Sequence, residues 1–499
     1  MKRVLSLFLS VVLVAVCALP AMAGEFTFSG LIRNKLYLGS NYERYDAGDV
    51  IPIKSSDGAA ADAVNPSNLT PRNFRINTDA PTATYFEERG RLKFEGKGDE
   101  VGVVAFYEID LRLGDGQYSV ARNAGGGLEG DTINMETKNL YVWFKPSTDT
   151  LVNVGLQNWT DAYRGVLFGY SDISGIFGTA KYAPVDLRYG WGVIKHGPGL
   201  TTGTAGSAAN NPGNSLVGSE ANKSTDFYVL EAHTASTKDS RVGLNLYQFN
   251  DNAGGGVRGY SNSQVVGKST TINTIGVDGS FKVADPFTLS AFLFYQTGKA
   301  DRGGTGGADL KIKGQSADVR ADIAVGSGKG FIEALYVSGD DNPNDNDYKG
   351  IVTSSNYALA GSFFATTDME ILLPNTDDQN TSEALTYDAR NFGQGLVHIG
   401  AGYTIPLGKT SLKVGVGNSR FAKAVPVGTT GFNKKNQATE VNMKVNYNLK
   451  KGLDAGIVAA YAILGDAYDV GANSFQGTPA GLAAPDNLYK LVARLNYVF

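Results

Sequence analysis

The chain has 499 residues, of which 42% are hydrophobic and 19% charged, with a formal net charge of −4 and a mean hydropathy of −0.16. The small acid excess excludes charge-driven binding to nucleic acid, and beyond the first two dozen residues no apolar run reaches the roughly 18 residues of a membrane helix. The 63 glycines, 25 tyrosines and 24 phenylalanines, set against 5 methionines, favour short strands and turns over helices.

At the N-terminus Lys2 and Arg3 precede an apolar run from Val4 to Leu19 and then Ala21-Met22-Ala23, the small-x-small pattern of a secretory cleavage site. Residues 1–23 therefore read as a signal peptide and 24–499 as one domain, whose formal charge without Lys2 and Arg3 is −6. The only cysteine, Cys17, falls inside the signal. The mature chain is expected to hold no disulfide, thiol nucleophile or cysteine-ligated metal.

From there the chain returns, again and again, to segments of about ten residues with alternating polarity. In the first, Phe26, Phe28, Ile32, Leu36 and Leu38 share one face and Thr27, Ser29, Arg33 and Lys35 the other. Between Thr84 and Gly96, Phe86, Leu92 and Phe94 alternate with Glu87, Arg89, Arg91, Lys93 and Glu95. After a turn at Lys97-Gly98-Asp99, the run from Val101 to Leu113 opposes apolar positions to Glu108, Asp110 and Arg112. The same unit continues through Leu140–Lys145, Leu151–Gln157, Phe227–Ala235, Val242–Phe249, Ile272–Val283, Thr288–Thr297, Ala317–Val325 and Phe331–Ser338. It then runs through Leu396–Ile405, Leu412–Arg420, Val441–Leu449, Leu453–Ile463 and Leu488–Phe499. Between Ile173 and His196, Ala183-Pro184-Val185-Asp186 reads as one more turn; separating two strands there gives about 18 in all, merging them about 16.

Connections alternate between short turns (Pro146–Asp149, Thr237–Asp239, Ala284–Pro286, Ser327–Gly330, Gly408-Lys409, Lys451-Gly452) and long polar loops. That asymmetry belongs to transmembrane antiparallel up-and-down β-barrels. A sheet in hydrocarbon must close to pair its backbone, and a face this charged cannot pack dry, because unpaired buried charges cost several kcal/mol each. A water-filled lumen, hence a channel in an outer membrane, is the expectation. The last strand places Leu491, Ala493, Leu495, Tyr497 and Phe499 on one face and stops on an aromatic, which resembles the signal read by the outer-membrane insertion machinery.

Gly90-Arg91-Leu92-Lys93-Phe94-Glu95-Gly96, followed by Val101-Gly102-Val103-Val104-Ala105-Phe106-Tyr107-Glu108, resembles the second and third strands of the general bacterial porins. Asn139-Leu140-Tyr141-Val142-Trp143-Phe144 and Val152-Asn153-Val154-Gly155-Leu156-Gln157 are similar to their fourth and fifth. The resemblance implies a homotrimer that passes small hydrophilic solutes and ions, and a third loop, roughly Asn158 to Gly178, folded into the barrel. That loop would oppose Asp161 and Asp172 to a wall of Arg33, Arg89, Arg91, Lys93 and Arg112, with Glu108 and Asp110 also lining the pore. The family's Pro-Glu-Phe loop signature is absent; Trp159, Tyr163, Arg164 and Tyr170 stand there instead, and Trp159, Tyr163 and Tyr170 would contact solute in a channel selective for sugars or anions.

Other constellations point to no catalytic site and no cofactor. His196, His233 and His398 lack a serine in the arrangement of a barrel lipase and read as a loop-edge and two polar lining residues. The acidic run Asp340 to Asp347 offers oxygen ligands for Ca²⁺ but lacks the glycine and final glutamate of an EF-hand, and reads as a solvated turn.

Overall fold

The computed structural model describes residues 24–40, 82–114, 135–196, 224–234, 240–252, 269–300, 309–342, 345–354, 367–373, 385–386, 389–424, 433–469 and 486–499. The signal segment and the turn expected at Thr237–Asp239 lie outside the described residues.

The strands, in chain order, begin with β1 (Glu25–Ser40), β2 (Thr82–Lys97), β3 (Val101–Arg112), β4 (Met135–Ser147), β5 (Thr150–Trp159), β6 (Ser171–Tyr182) and β7 (Val185–His196). There follow β8 (Ser224–Thr234), β9 (Ser240–Asp251), β10 (Thr270–Ala284), β11 (Phe287–Ala300), β12 (Leu310–Ile312), β13 (Gln315–Val325) and β14 (Gly328–Val337). The remainder are β15 (Asp347–Tyr348), β16 (Leu396–Leu407), β17 (Thr410–Phe421), β18 (Asn436–Lys450), β19 (Leu453–Leu464) and β20 (Leu488–Val498). Short β12 and β15 pair with each other in parallel, while β11 pairs with β13 and β14 with β16 directly. What remains is a closed antiparallel wall of 18 strands, sealed where β1 pairs with β20 from Leu31↔Val498 to Gly39↔Lys490. β6 and β7 are separate strands, which decides the count in favour of 18 over 16.

Closure is finished by the last residue. Gly30 and Phe499 exchange backbone hydrogen bonds (N→O 2.9 and 3.1 Å), and the Phe499 ring lies where a Cβ on residue 30 would be, 2.5 Å away. Only glycine permits that approach.

The short connections at 148–149, 183–184, 285–286, 326–327, 408–409 and 451–452 share one end of the barrel, as the alternation predicts. Gly326, Gly408 and Gly452 take positive φ there, at +60°, +64° and +76°. Outward positions are apolar and accessible: Ile275, Val277, Leu293, Val319, Ile332, Ile399, Val416, Val441 and Ile457 cover the belt. Exposed Phe281, Tyr447 and Tyr497 ring it near the turns, and Trp191, Tyr228, Tyr295 and Tyr461 near the loops. A closed wall with a greasy exterior and aromatic girdles is that of a transmembrane barrel.

The third loop folds inward as expected, and a second loop joins it in occupying part of the interior. The connection β5–β6 (residues 160–170, here L3) enters the barrel, as do described parts of the long connection β14–β16 (within 338–395, here L7). L3 packs Tyr163, Val166, Leu167 and Phe168 into an apolar cluster with Trp159, Phe227, Tyr247, Phe292 and Phe294. L7 adds Ile351 and Val352 to that cluster and carries Met369, Ile371 and Leu372 to a second one with Phe421, Ala462 and Tyr468. The loops meet where the Ser354 amide donates to the Leu167 carbonyl (2.9 Å).

Candidate functional site

The wall opposite L3 is basic. On β1 the inward residues Arg33 and Lys35 stand in register with Arg89 and Glu87 on β2, and with Asn496 and Arg494 on β20. Arg89 grips Asp110 of β3 through two bonds, Nε→Oδ1 and Nη2→Oδ2, both 2.7 Å, a bidentate fork that fixes the guanidinium plane. Arg91 pairs with Glu108, to which Lys138 also approaches (3.5 Å). Lys93 pairs with Glu95 at 3.1 Å. Arg112 lies 4.1 Å over the ring of Tyr85, itself stacked on Tyr37 at 4.5 Å. The expected wall residues thus line one contiguous surface across β1 to β3, together with Glu108 and Asp110.

The opposing loop departs from expectation in three ways. L3 spans 160–170 rather than Asn158–Gly178, because Ser171 onward already pairs with β5 as a strand. Asp161, expected to face the basic wall, turns into its own loop: Oδ1 accepts from the amides of Tyr163 (2.7 Å) and Gly165 (2.9 Å), Oδ2 from those of Leu167 (2.6 Å) and Phe168 (2.7 Å). Burial outweighs those four donors and lifts its pKa to about 6. Asp172 sits at the loop-side start of β6 and is held by Lys138 (3.2 Å) and Asn139 (2.9 Å).

Two of the three aromatics expected to meet solute are core residues. Trp159 is stacked on Phe177 (5.9 Å) with the Arg188 guanidinium 5.2 Å over it, and Tyr163 is 0% exposed, wedged between Tyr247 and Phe294. Burial pushes the Tyr163 phenol well above its ordinary range. Tyr170 alone of the three is accessible, at 39%, with φ +52°.

The charge L3 presents is a cation, Arg164, which pairs with Asp318 on β13 and Glu333 on β14. The Arg188 Nη2 donates to the Thr160 carbonyl (3.0 Å) and its Nη1 to Glu231 (2.8 Å), while Glu231 accepts from Tyr247 (2.8 Å), whose hydroxyl in turn accepts from the Ala162 amide (2.9 Å). L7 is clasped by Glu440 of β18, which accepts from the amides of Glu370 (2.7 Å), Ile371 (2.9 Å) and Leu372 (2.8 Å). Lys490 donates to the Glu370 carbonyl (3.1 Å), and Lys413 pairs with Asp368. These anchors were not anticipated.

Met369 sits against the wall glycine Gly417: a Cβ there would lie 2.7 Å from the Met369 sulfur. His398, Nδ1 2.8 Å from Ser419 Oγ, lies beneath it, and both are fully buried. The acidic run at the start of L7 is tied to cations rather than simply solvated: Asp341 pairs with Lys349 (2.9 Å) and Lys423 (3.1 Å), Asp347 with Lys313 (2.6 Å). Burial raises Asp340 to about 6, and no cluster of three ligating acids or histidines forms among the described residues. At the turn-side mouth a cavity of about 350 Å³ is lined by Lys409, Ser411, Asn446, Asn448, Asp454 and Arg494.

These features define a β-barrel of the outer-membrane type with a lumen narrowed by two inward loops and one strongly basic wall. Three Pseudomonas aeruginosa proteins share the architecture at a TM-score of 0.50: OccK5 (OpdH) at 10% identity, OpdQ at 9% and OccK1 (OpdK) at 12%. The match covers 95%, 95% and 96% of this chain and 98% of each of theirs. At such identity the likeness is one of fold. No protein-family model and no curated protein matches the sequence.

Proposed function

We propose that the chain is an outer-membrane porin that passes small hydrophilic solutes by diffusion and selects among them, with a preference for anions. The observation that carries this reading is the division of the lumen: L3 and L7 pack against the sector that runs from β5 round to the loop end of β20, and the remaining wall, β1 to β3, carries the basic surface. An anion moving along that surface exchanges hydration for guanidinium and ammonium contacts, whereas an apolar solute loses water without return. Arginine keeps its charge at every physiological pH; pairing with Asp110 and Glu108 holds Arg89 and Arg91 rigid, and Arg33, Arg112 and Arg494 add further cations to the same surface. Two loops docked inside the barrel favour the selective reading over general diffusion, the broader reading of the sequence.

The proposal includes removal of residues 1–23, a homotrimeric assembly as the resemblance to general porins implies, lipid around the apolar belt, and insertion through the strand ending at Phe499. It assigns the chain no enzymatic role. Purified protein in a planar bilayer under a KCl gradient tests it: the reversal potential should lie on the anion side and move toward zero in Arg89→Ala/Arg91→Ala. Absence of conductance would remove the channel reading, and a cation-side potential the selectivity.

A further inference from the structure

L3 delivers a positive charge to a place on the β13–β14 wall where acids crowd together. Asp318 and Glu333 point inward from neighbouring strands with side chains 0% exposed, while the side chain of Arg164 between them keeps 18% of its surface open. The wall's own cation, Arg320, divides itself between Asp322 (3.0 Å) and Glu333 (3.3 Å). Among the described residues Asp318 lies within ion-pair distance of no wall cation, and its buried Oδ1 accepts no hydrogen bond. Two carboxylates in so dry a setting need a counter-charge. Arg164 is built to be it: the residue takes φ +60°, uncommon for a non-glycine, between Tyr163 and Gly165, whose amides are both fixed by Asp161.

We infer that Arg164 is a specificity-determining residue of the channel: by offsetting one charge of the Asp318–Glu333 pair, the other being offset by Arg320, it leaves the basic wall to set the sign of the field in the narrowed lumen. This inference rests on the channel reading above. With Arg164 gone, the acid pair draws water and small cations, and anions meet a site of their own sign. Its removal is distinct from loosening the loop, because Asp161 and the apolar contacts of Leu167 and Phe168 hold L3 independently.

The experiment is a set of reversal potentials in planar bilayers under a KCl gradient for the full chain and three variants. Arg164→Gln should raise the cation-to-anion permeability ratio about threefold, the influence of one unit charge felt through water at several ångströms. Arg164→Lys should keep the unmodified ratio, and Arg164→Gln combined with Asp318→Asn, which leaves the net charge of the site as it was, should restore it. An unchanged ratio in Arg164→Gln overturns the inference. So does a shift that survives in the double variant, since the cause would then be loop displacement. The double variant and Arg164→Lys keep the test decisive if the single variant fails to fold. If the unmodified chain conducts nothing, the channel reading fails instead, a result separable from either.

Discussion

Removing the Asp161 carboxylate should release L3 from the wall while leaving the barrel intact. In Asp161→Ala four buried amides, those of Tyr163, Gly165, Leu167 and Phe168, lose their acceptor. At about 2 kcal/mol for each unsatisfied donor the loss is about 8 kcal/mol. Relief from burying the carboxylate, which raises its pKa, offsets part of that loss. The remainder is larger than a part-exposed Arg164 ion pair restores. The strand ladders do not pass through L3, so the protein should still show heat-modifiable migration of a folded barrel on electrophoresis. Single-channel recordings should show larger, noisier open levels, and limited proteolysis should cut within 160–170, where the unmodified protein resists. Unaltered conductance together with continued resistance would refute the claim that this one carboxylate holds the loop.

The same residue predicts a pH dependence. Because the docked pKa lies above that of the released loop, docking binds a proton; it is strongest below about pH 4, weakens as pH rises toward about 6 and is level beyond. Channel flicker should therefore increase between pH 4 and 6.5, and the trend should disappear in Asp161→Ala. For L7, Glu440→Gln turns an amide group toward donors now bound by carboxylate oxygens from residues 370 to 372, at a cost of about 2–4 kcal/mol. Hydrogen exchange should rise at those three amides without change in β16 to β18; protection equal to that of the unmodified protein would count against the clasp.

The strands were legible because a wall between lipid and an interior of different polarity imposes period two on nearly every segment. Even β6 and β7, rich in glycine, separate correctly at Ala183-Pro184. The inward loops were far less so, since a loop has no periodicity and its aromatics look the same whether they meet solute or core. A signal was nevertheless present on the wall. Phe227, Tyr247, Phe249, Ile272, Phe292 and Phe294 occupy inward positions of β8 to β11, so in that sector both faces are apolar, whereas on β1 to β3 the inward face is charged. An apolar inward face cannot look into water, and its covering had to come from a loop. Trp159 and Tyr163 are that covering, and for this reason they are not a track for solute. Glu440 carried a fainter signal, an inward acid with no basic residue directly across on β17 or β19, where Gly417 and Ala462 stand.

The distribution of buried charge follows from the same division. On the basic wall, Glu108 and Asp110 pair with arginines on the adjacent strand. Beneath the docked loops some acids take their partners from the loops: Arg164 for Asp318, amides of L7 for Glu440. Asp161 closes the scheme by binding amides of its own loop. Acids satisfied by a loop are satisfied only while the loop is docked, so ordering L3 and L7 and neutralising the far wall are one event. An undocked loop would both widen the passage and uncover negative charge opposite the basic wall. Size and charge selection in this barrel are therefore coupled, and a variant that loosens L3 should lose anion preference in the same recordings in which it gains conductance.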